Sequence, residues 1–224
     1  MRLQMIAPVM FGIIGAAMLA GLGFWQLERL AVKEALLAQI AAEIGADPVD
    51  LPVAGAPLVE FQAVRLDGRF VGKELHVLAS TRDAGAIYRI ISAFQSTGGR
   101  RVLVDRGYVP LPLKDAPRAG VFARITGNIR TPDEVDAYTP APDPAANIWF
   151  ARDVPAMAAA LRTEPLLVIL RTSDEAEPAI RPLPLNASGI PNNHLNYAIT
   201  WFLFALAWLG MTVLWLWRIR QRLK

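Results

Sequence analysis

Residues 197–217 read YAITWFLFALAWLGMTVLWLW, 21 positions with no charged side chain and four tryptophans. As a helix rising 1.5 Å per residue this run is about 30 Å long, the thickness of a bilayer's hydrocarbon core. It is preceded by Asn192-Asn193-His194-Leu195-Asn196 and followed by Arg218, Arg220, Arg222 and Lys224. At the other end of the chain residues 3–27 carry no charge, and their apolar centre, Met5 to Phe24, is 20 residues long. That segment spans a bilayer by the same reckoning. Trp25, Trp215 and Trp217 fall where an interfacial aromatic belt belongs.

The two spans divide the chain into an apolar helix at 5–25, a domain at 26–194, a second apolar helix at 195–217 and a basic tail at 218–224. Clustered arginine and lysine just beyond a span marks the cytoplasmic side, and two spans return the N-terminus to that side. The central domain is then expected on the opposite face, periplasmic in a bacterium. A cleaved signal peptide is the competing reading of the N-terminus, given Ala16, Ala17, Ala20, Gly21 and Gly23, but no clean Ala-x-Ala site closes the run. No Arg- and Ser-rich transit peptide precedes it, so a multi-pass protein of the bacterial inner membrane is expected.

The sequence pI near 9.5 suggests a nucleic-acid ligand. Yet five of the 23 basic residues (Arg2, Arg218, Arg220, Arg222, Lys224) lie outside the central domain, leaving 18 against all 20 acidic residues. That domain is therefore slightly acidic, and nucleic-acid binding is unsupported. The absence of cysteine rules out disulfides and thiolate metal sites.

Within the domain, Leu27, Leu30, Leu37, Ile40 and Ile44 recur at helical spacing among charges, predicting a juxtamembrane helix over 26–45 that ends near Gly45. Residues 46–58 are a Pro-rich connector. A β-rich core at 59–171 follows. Its short runs with strand character are Phe61–Leu66, Arg69–Val71, Leu75–Ser80, Ile87–Phe94, Val102–Asp105, Ala123–Ile129, Ile148–Ala151 and Leu166–Leu170. Their spacing predicts an antiparallel barrel or sandwich, within a mainly β, α+β fold. Asp153 to Arg162 reads as one helix with Asp153 as N-cap and Pro155 in its first turn. Residues 173–191 read as a Pro-rich lead back to the membrane.

Enzyme motifs are absent: there is no Gly-x-Ser-x-Gly, Walker loop or His-Glu-x-x-His, and Gly21-Leu22-Gly23 lacks a third glycine. A non-enzyme is expected. His76 reads as an ordinary strand histidine, Asp105-Arg106 and Arg100-Arg101 as strand-end charges, and Asn186-Ala187-Ser188 as a glycosylation match of no weight in a bacterium. At helical spacing His194, Tyr197, Trp201, Phe204, Trp208, Met211 and Trp215 form one stripe, an aromatic face with an imidazole at its membrane boundary. Gly12, Ala16 and Ala20 of the first span have the small-x-x-x-small spacing that permits close helix approach. On residues alone the stripe is either a packing seam against those small residues or a ligand face.

Four blocks carry a resemblance: Gly23-Phe24-Trp25-Gln26-Leu27-Glu28-Arg29, Val104-Asp105-Arg106-Gly107-Tyr108-Val109-Pro110, Arg152-Asp153-Val154-Pro155-Ala156-Met157, and Asn193-His194-Leu195-Asn196-Tyr197-Ala198-Ile199-Thr200-Trp201. In this order, with two spans around a domain, they resemble the Surfeit locus protein 1 family. Asp105 stands where that pattern has Asn. The resemblance implies a membrane assembly factor for haem-copper cytochrome c oxidase, active while haem a is installed in subunit I, with His194 as ligand to the haem iron. Haem needs an imidazole donor, an apolar slot and cations for its propionates. Tyr197 and Trp201, with Phe204, would supply the slot, and Arg29 about one turn past the first span is the propionate candidate.

Subunit I is the implied partner, and direct delivery by haem a synthase stays open. So does a homo-oligomer in which two chains each lend His194 to one haem. The alternatives are a cofactor-free scaffold that stabilises nascent oxidase subunits, and a membrane-anchored enzyme using Asp105 or Asp153. Copper delivery is disfavoured, there being no cysteine and no clustered methionine.

Overall fold

The computed structural model describes residues 3–118, 120–175, 180–187 and 191–222. The elements are α1 (Leu3–Gly45), β1 (Val49–Asp50), β2 (Ala63–Thr81), β3 (Gly85–Ser96), β4 (Arg101–Pro110), β5 (Phe122–Arg130), α2 (Val154–Leu161), β6 (Leu167–Ser173) and α3 (His194–Arg222). They form two units, residues 1–39 with 187–224, and residues 40–186.

The first unit is a pair of long helices, both long and apolar enough to cross a membrane. In α1 the apolar run and the juxtamembrane pattern are one uninterrupted helix of 43 residues. Arg220 and Arg222 in the last turn of α3 oppose the negative end of its dipole.

The second unit is a barrel. Sheet order is β1-β2-β3-β4-β6-β5, and β2 pairs again with β5, so β2 to β6 close a five-stranded ring with β1 added in parallel on β2. The sequence β5-β2-β3-β4 around the ring is a Greek key. Around the ring itself pairing is antiparallel except between β4 and β6, where Leu103 to Asp105 run parallel to Leu167 to Ile169. This departs from the wholly antiparallel expectation, because β6 is reached only after the long excursion through α2 and enters the gap in the same sense as β4.

The runs at Phe61–Leu66, Arg69–Val71 and Leu75–Ser80 belong to one 19-residue strand. Gly68 and Gly72 lie in the gaps between those runs, and neither breaks the strand. At Gly68 β2 passes from β5 to β3, and a Cβ there would strike the Gln95 carbonyl oxygen. Gly72, at φ 74°, forms the bulge between Val71 and Glu74. Ile148–Ala151 is not a strand. Asp143 and Ile148 form a tight bridge with Asn147 at positive φ, and the segment meets β2 through the Asn147 side chain, which donates to the Glu74 carbonyl, and through a bridge from Trp149 to Val77. There the Trp149 amide donates to the His76 carbonyl at 2.8 Å and the Leu78 amide to the Trp149 carbonyl at 2.8 Å.

The barrel interior holds Val64, Leu66, Phe70, Phe94, Val102, Val104, Ile125, Ile129 and Val168. Outside it, α2 seats Met157 and Leu161 on Ile91, Leu103, Leu167 and Ile169. The Asp153 carboxylate accepts from the Ala156 amide at 3.1 Å, Pro155 lies in the first turn, and Arg162 ends the helix in the left-handed conformation. The last turn of α1 ends against the barrel, with the Ile44 carbonyl accepting from the Asn128 amide at 3.1 Å.

Candidate functional site

His194 is the first residue of α3, and its Nδ1 lies 2.7 Å from the side-chain oxygen of Gln26 on α1. An amide oxygen only accepts, so the imidazole donates through Nδ1. A neutral ring with its proton on Nδ1 carries its lone pair on Nε2. Among the described residues the His194 ring makes no other hydrogen bond, and Nε2 is available to an electrophile. An imidazole fixed through one nitrogen and open at the other is the form in which histidine ligates iron.

Below this pair the helices pack through small residues of both. Trp208 covers Gly15, Thr212 covers Gly12, and a Cβ on Gly23 would sit 2.6 Å from the Phe202 ring. Ala16, Ala198 and Ala205 are buried in the same seam. The Phe11 ring lies tilted against Trp208 at 5.0 Å between centroids, and Phe24 meets Phe202 edge-on at 5.3 Å. Small residues let the two backbones approach closely and give the aromatic rings dispersion contacts along the seam.

The seam divides the stripe read from the sequence. His194, Trp201 and Trp208 turn towards α1 or its flank, while Tyr197 (57 % exposed), Phe204, Met211 and Trp215 face away from it. Ala198, Phe202, Ala205 and Thr212, each one residue further along, take their place against α1. The stripe is thus neither wholly seam nor wholly free. Trp201 bridges the two faces, half-buried, with its ring 6.0 Å from Phe204. Arg29, just past Gln26 on α1, lies over the Trp25 ring at 5.6 Å and has no ion pair among the described residues. His194 and Gln26 are joined directly. Tyr197, Trp201 and Arg29 lie within a turn or two of them without touching His194 through any described bond.

The SURF1 family model matches residues 13–206, most of α1, the whole barrel and the first part of α3. The chain belongs to the SURF1 family. It is 27 % identical over 209 residues to Surfeit locus protein 1 of Rattus norvegicus, covering 81 % of this chain and 67 % of that protein. The SURF1-like protein of Monosiga brevicollis is 30 % identical over 215 residues, covering 86 % and 81 %. That of Rickettsia prowazekii (strain Madrid E) is 28 % identical over 201 residues, covering 84 % and 81 %.

In this SURF1-family chain the barrel blocks serve the fold. Asp105, 0 % exposed, is no strand-end charge. Its Oδ2 accepts from Arg89 Nε at 2.8 Å and lies 3.6 Å from Arg152, while its Oδ1 accepts from the Gly107 amide at 3.1 Å. Arg152 also clasps Glu134. Burial pushes the Glu134 carboxyl up, but the hydrogen bond and charge of Arg152 outweigh it and leave the group below its ordinary value. Arg106, 4 % exposed, pairs with Glu175 at 2.9 Å and lies 4.2 Å from the Phe70 ring centre. Gly107, at φ 115°, lets the Arg181 carbonyl approach where a Cβ would stand.

A second polar cluster joins Glu74 to His76 Nε2 at 2.8 Å and to Arg118 at 2.5 Å. Burial raises the Glu74 pKa, while the bonds from His76 and Arg118 and the Arg118 charge lower it by more. Among the described residues no group of three His, Asp or Glu is placed to hold a metal ion. Gln26 is the site residue that sequence reasoning passed over. The signal was there: it is the last uncharged polar residue before the first charges after the span.

Proposed function

We propose that this SURF1-family chain is an assembly factor for haem-copper cytochrome c oxidase that holds haem a by His194 and yields it to subunit I. The open Nε2 of His194, fixed by the Gln26 bond, is the observation that carries the reading. Haem a supplies an iron with an axial position for imidazole, an apolar macrocycle and two propionates. The residues fit those needs. His194 offers the donor, Tyr197 and Trp201 offer an aromatic surface beside it, and Arg29 offers an uncommitted guanidinium at the membrane boundary. One protein ligand at an open site suits a carrier that must release what it binds.

The setting proposed is the bacterial inner membrane, with both termini cytoplasmic and the barrel periplasmic, which follows from Arg218, Arg220 and Arg222 clustered past the apolar run at the C-terminal end of α3. A non-enzymatic role is supported by the domain carboxylates that were catalytic candidates. Asp105 is buried in an ion-pair network and Asp153 caps α2.

A cofactor-free scaffold is the second reading, favoured by the outward face Tyr197, Phe204, Met211 and Trp215, which nothing in the described chain covers. The two separate in a strain lacking its own copy and complemented with variants. Haem a per oxidase subunit I in membranes is expected to fall with His194→Ala while the chain's own level holds. Undiminished haem a with His194→Ala, together with loss when outward residues such as Phe204 are changed, would favour the scaffold.

A further inference from the structure

We infer that Gln26 is a positioning residue for the haem-holding site, fixing the tautomer and ring orientation of His194 so that Nε2 is the only nitrogen offered to iron. The inference rests on the haem-holding reading above. An amide at the end of an apolar run costs free energy unless it is hydrogen-bonded. Gln26 meets that need across the helix pair, at 2.7 Å from His194 Nδ1. A free imidazole distributes its proton over both nitrogens, and each wrong tautomer or rotamer must be undone before ligation. The Gln26 oxygen removes both losses in advance, and by accepting from Nδ1–H it raises the donor strength of Nε2. Gln26 and His194 sit opposite one another where the two spans leave the apolar region, so the bond also sets the axial register of α1 against α3.

The protein carries its own control. His76, the other of two histidines, bonds through Nε2 to the Glu74 carboxylate, which can only accept, so its proton is on Nε2. Its Nδ1 is buried without a partner among the described residues. The two imidazoles are therefore held as opposite tautomers, one with an accessible lone pair in the helix pair and one closed inside the barrel.

The test uses the full chain in detergent with ¹⁵N-labelled histidine, as wild type, Gln26→Leu and Gln26→Glu, first without haem and then purified from a host that makes haem a. Nitrogen spectra of the haem-free wild type are expected to show one histidine protonated at Nδ1 and one at Nε2. Gln26→Leu should move the first to a mixture and leave the second unchanged. With haem, Gln26→Leu should weaken retention by about 10–100-fold, the usual cost of losing an outer partner of a metal ligand. Gln26→Glu should retain haem at a lower midpoint potential, because a carboxylate acceptor makes the imidazole a stronger donor. Two results overturn the inference while haem binding stands: an unchanged His194 tautomer in Gln26→Leu, or haem affinity and potential the same in all three proteins. A wild type that takes up no haem refutes the holding reading and with it the role of Gln26, whatever the tautomer.

Discussion

Replacing Asp105 by alanine removes the carboxylate to which Arg89 is hydrogen-bonded, from a site with no exposure to water. Arg89 and Arg152 are themselves 15 % and 11 % exposed at their side chains, so neither can easily recover hydration. Breaking a buried pair from one side costs about 3–5 kcal/mol. Arg152 keeps Glu134, which places the estimate at the lower end, and the Gly107 amide loses its acceptor at about 1 kcal/mol more. The sum, about 4 kcal/mol, is roughly a thousandfold in the folded-to-unfolded ratio and a large part of a domain's total stability of about 5–15 kcal/mol. Asp105→Asn keeps the shape and the acceptor for Gly107 but turns an NH2 donor towards Arg89 and Arg152 in place of the accepting Oδ2, so about 1–3 kcal/mol is expected. Hydrogen exchange of β4 peptides across a urea series, in the detergent-solubilised full chain, reads both. An alanine variant within about 1 kcal/mol of wild type would refute the burial argument. Wild-type stability with complete loss of oxidase maturation would return Asp105 to the list of chemical groups.

Three further outcomes follow from the same geometry. Glu74 and Glu134 have native pKa values below the ordinary 4.5, so as pH falls the unfolded chain takes up their protons first; the barrel should lose stability from about pH 4.5 downward, and a midpoint that is flat from pH 6 to 3 would contradict the pairing. Gly107→Ala puts a Cβ on the Arg181 carbonyl at φ 115° and should cost about 1–3 kcal/mol by the same exchange assay, with β4 and the 180–182 segment losing protection together. Gly15→Leu places a side chain where Trp208 lies; cysteines introduced at 12 and 212, in a chain with none of its own, should cross-link in the parent and fail to do so with Gly15→Leu.

The helices were legible because an uncharged run of the right length has few other fates, and α2 because Asp153 and Pro155 mark a helix start locally. The barrel was legible as strands but not as a circuit. Gly68 and Gly72 carry the same letters whether they turn the chain, pass a strand between partners or form a bulge, and only the pairing distinguishes these. The parallel entry of β6 beside β4 has no local signature at all. Burial of Asp105 was hidden because its partners, Arg89 and Arg152, stand 16 and 47 positions away. The stripe read from the sequence divides between seam and outward face because it counts large apolar positions, whereas the small residues Ala198 and Ala205 also make the contact with α1. Gln26 escaped notice for the same reason of distance, 168 positions from His194.

The central claim is that His194 ligates haem a through its free Nε2, and optical absorption of the purified protein tests it most directly. Wild type and His194→Ala, each co-expressed with a haem a synthesis pathway, would be compared for haem per chain. Near-stoichiometric haem a in the wild type, lost in His194→Ala, is the result predicted. A wild type without haem, or a His194→Ala protein that keeps the same spectrum and the same haem content, would contradict it.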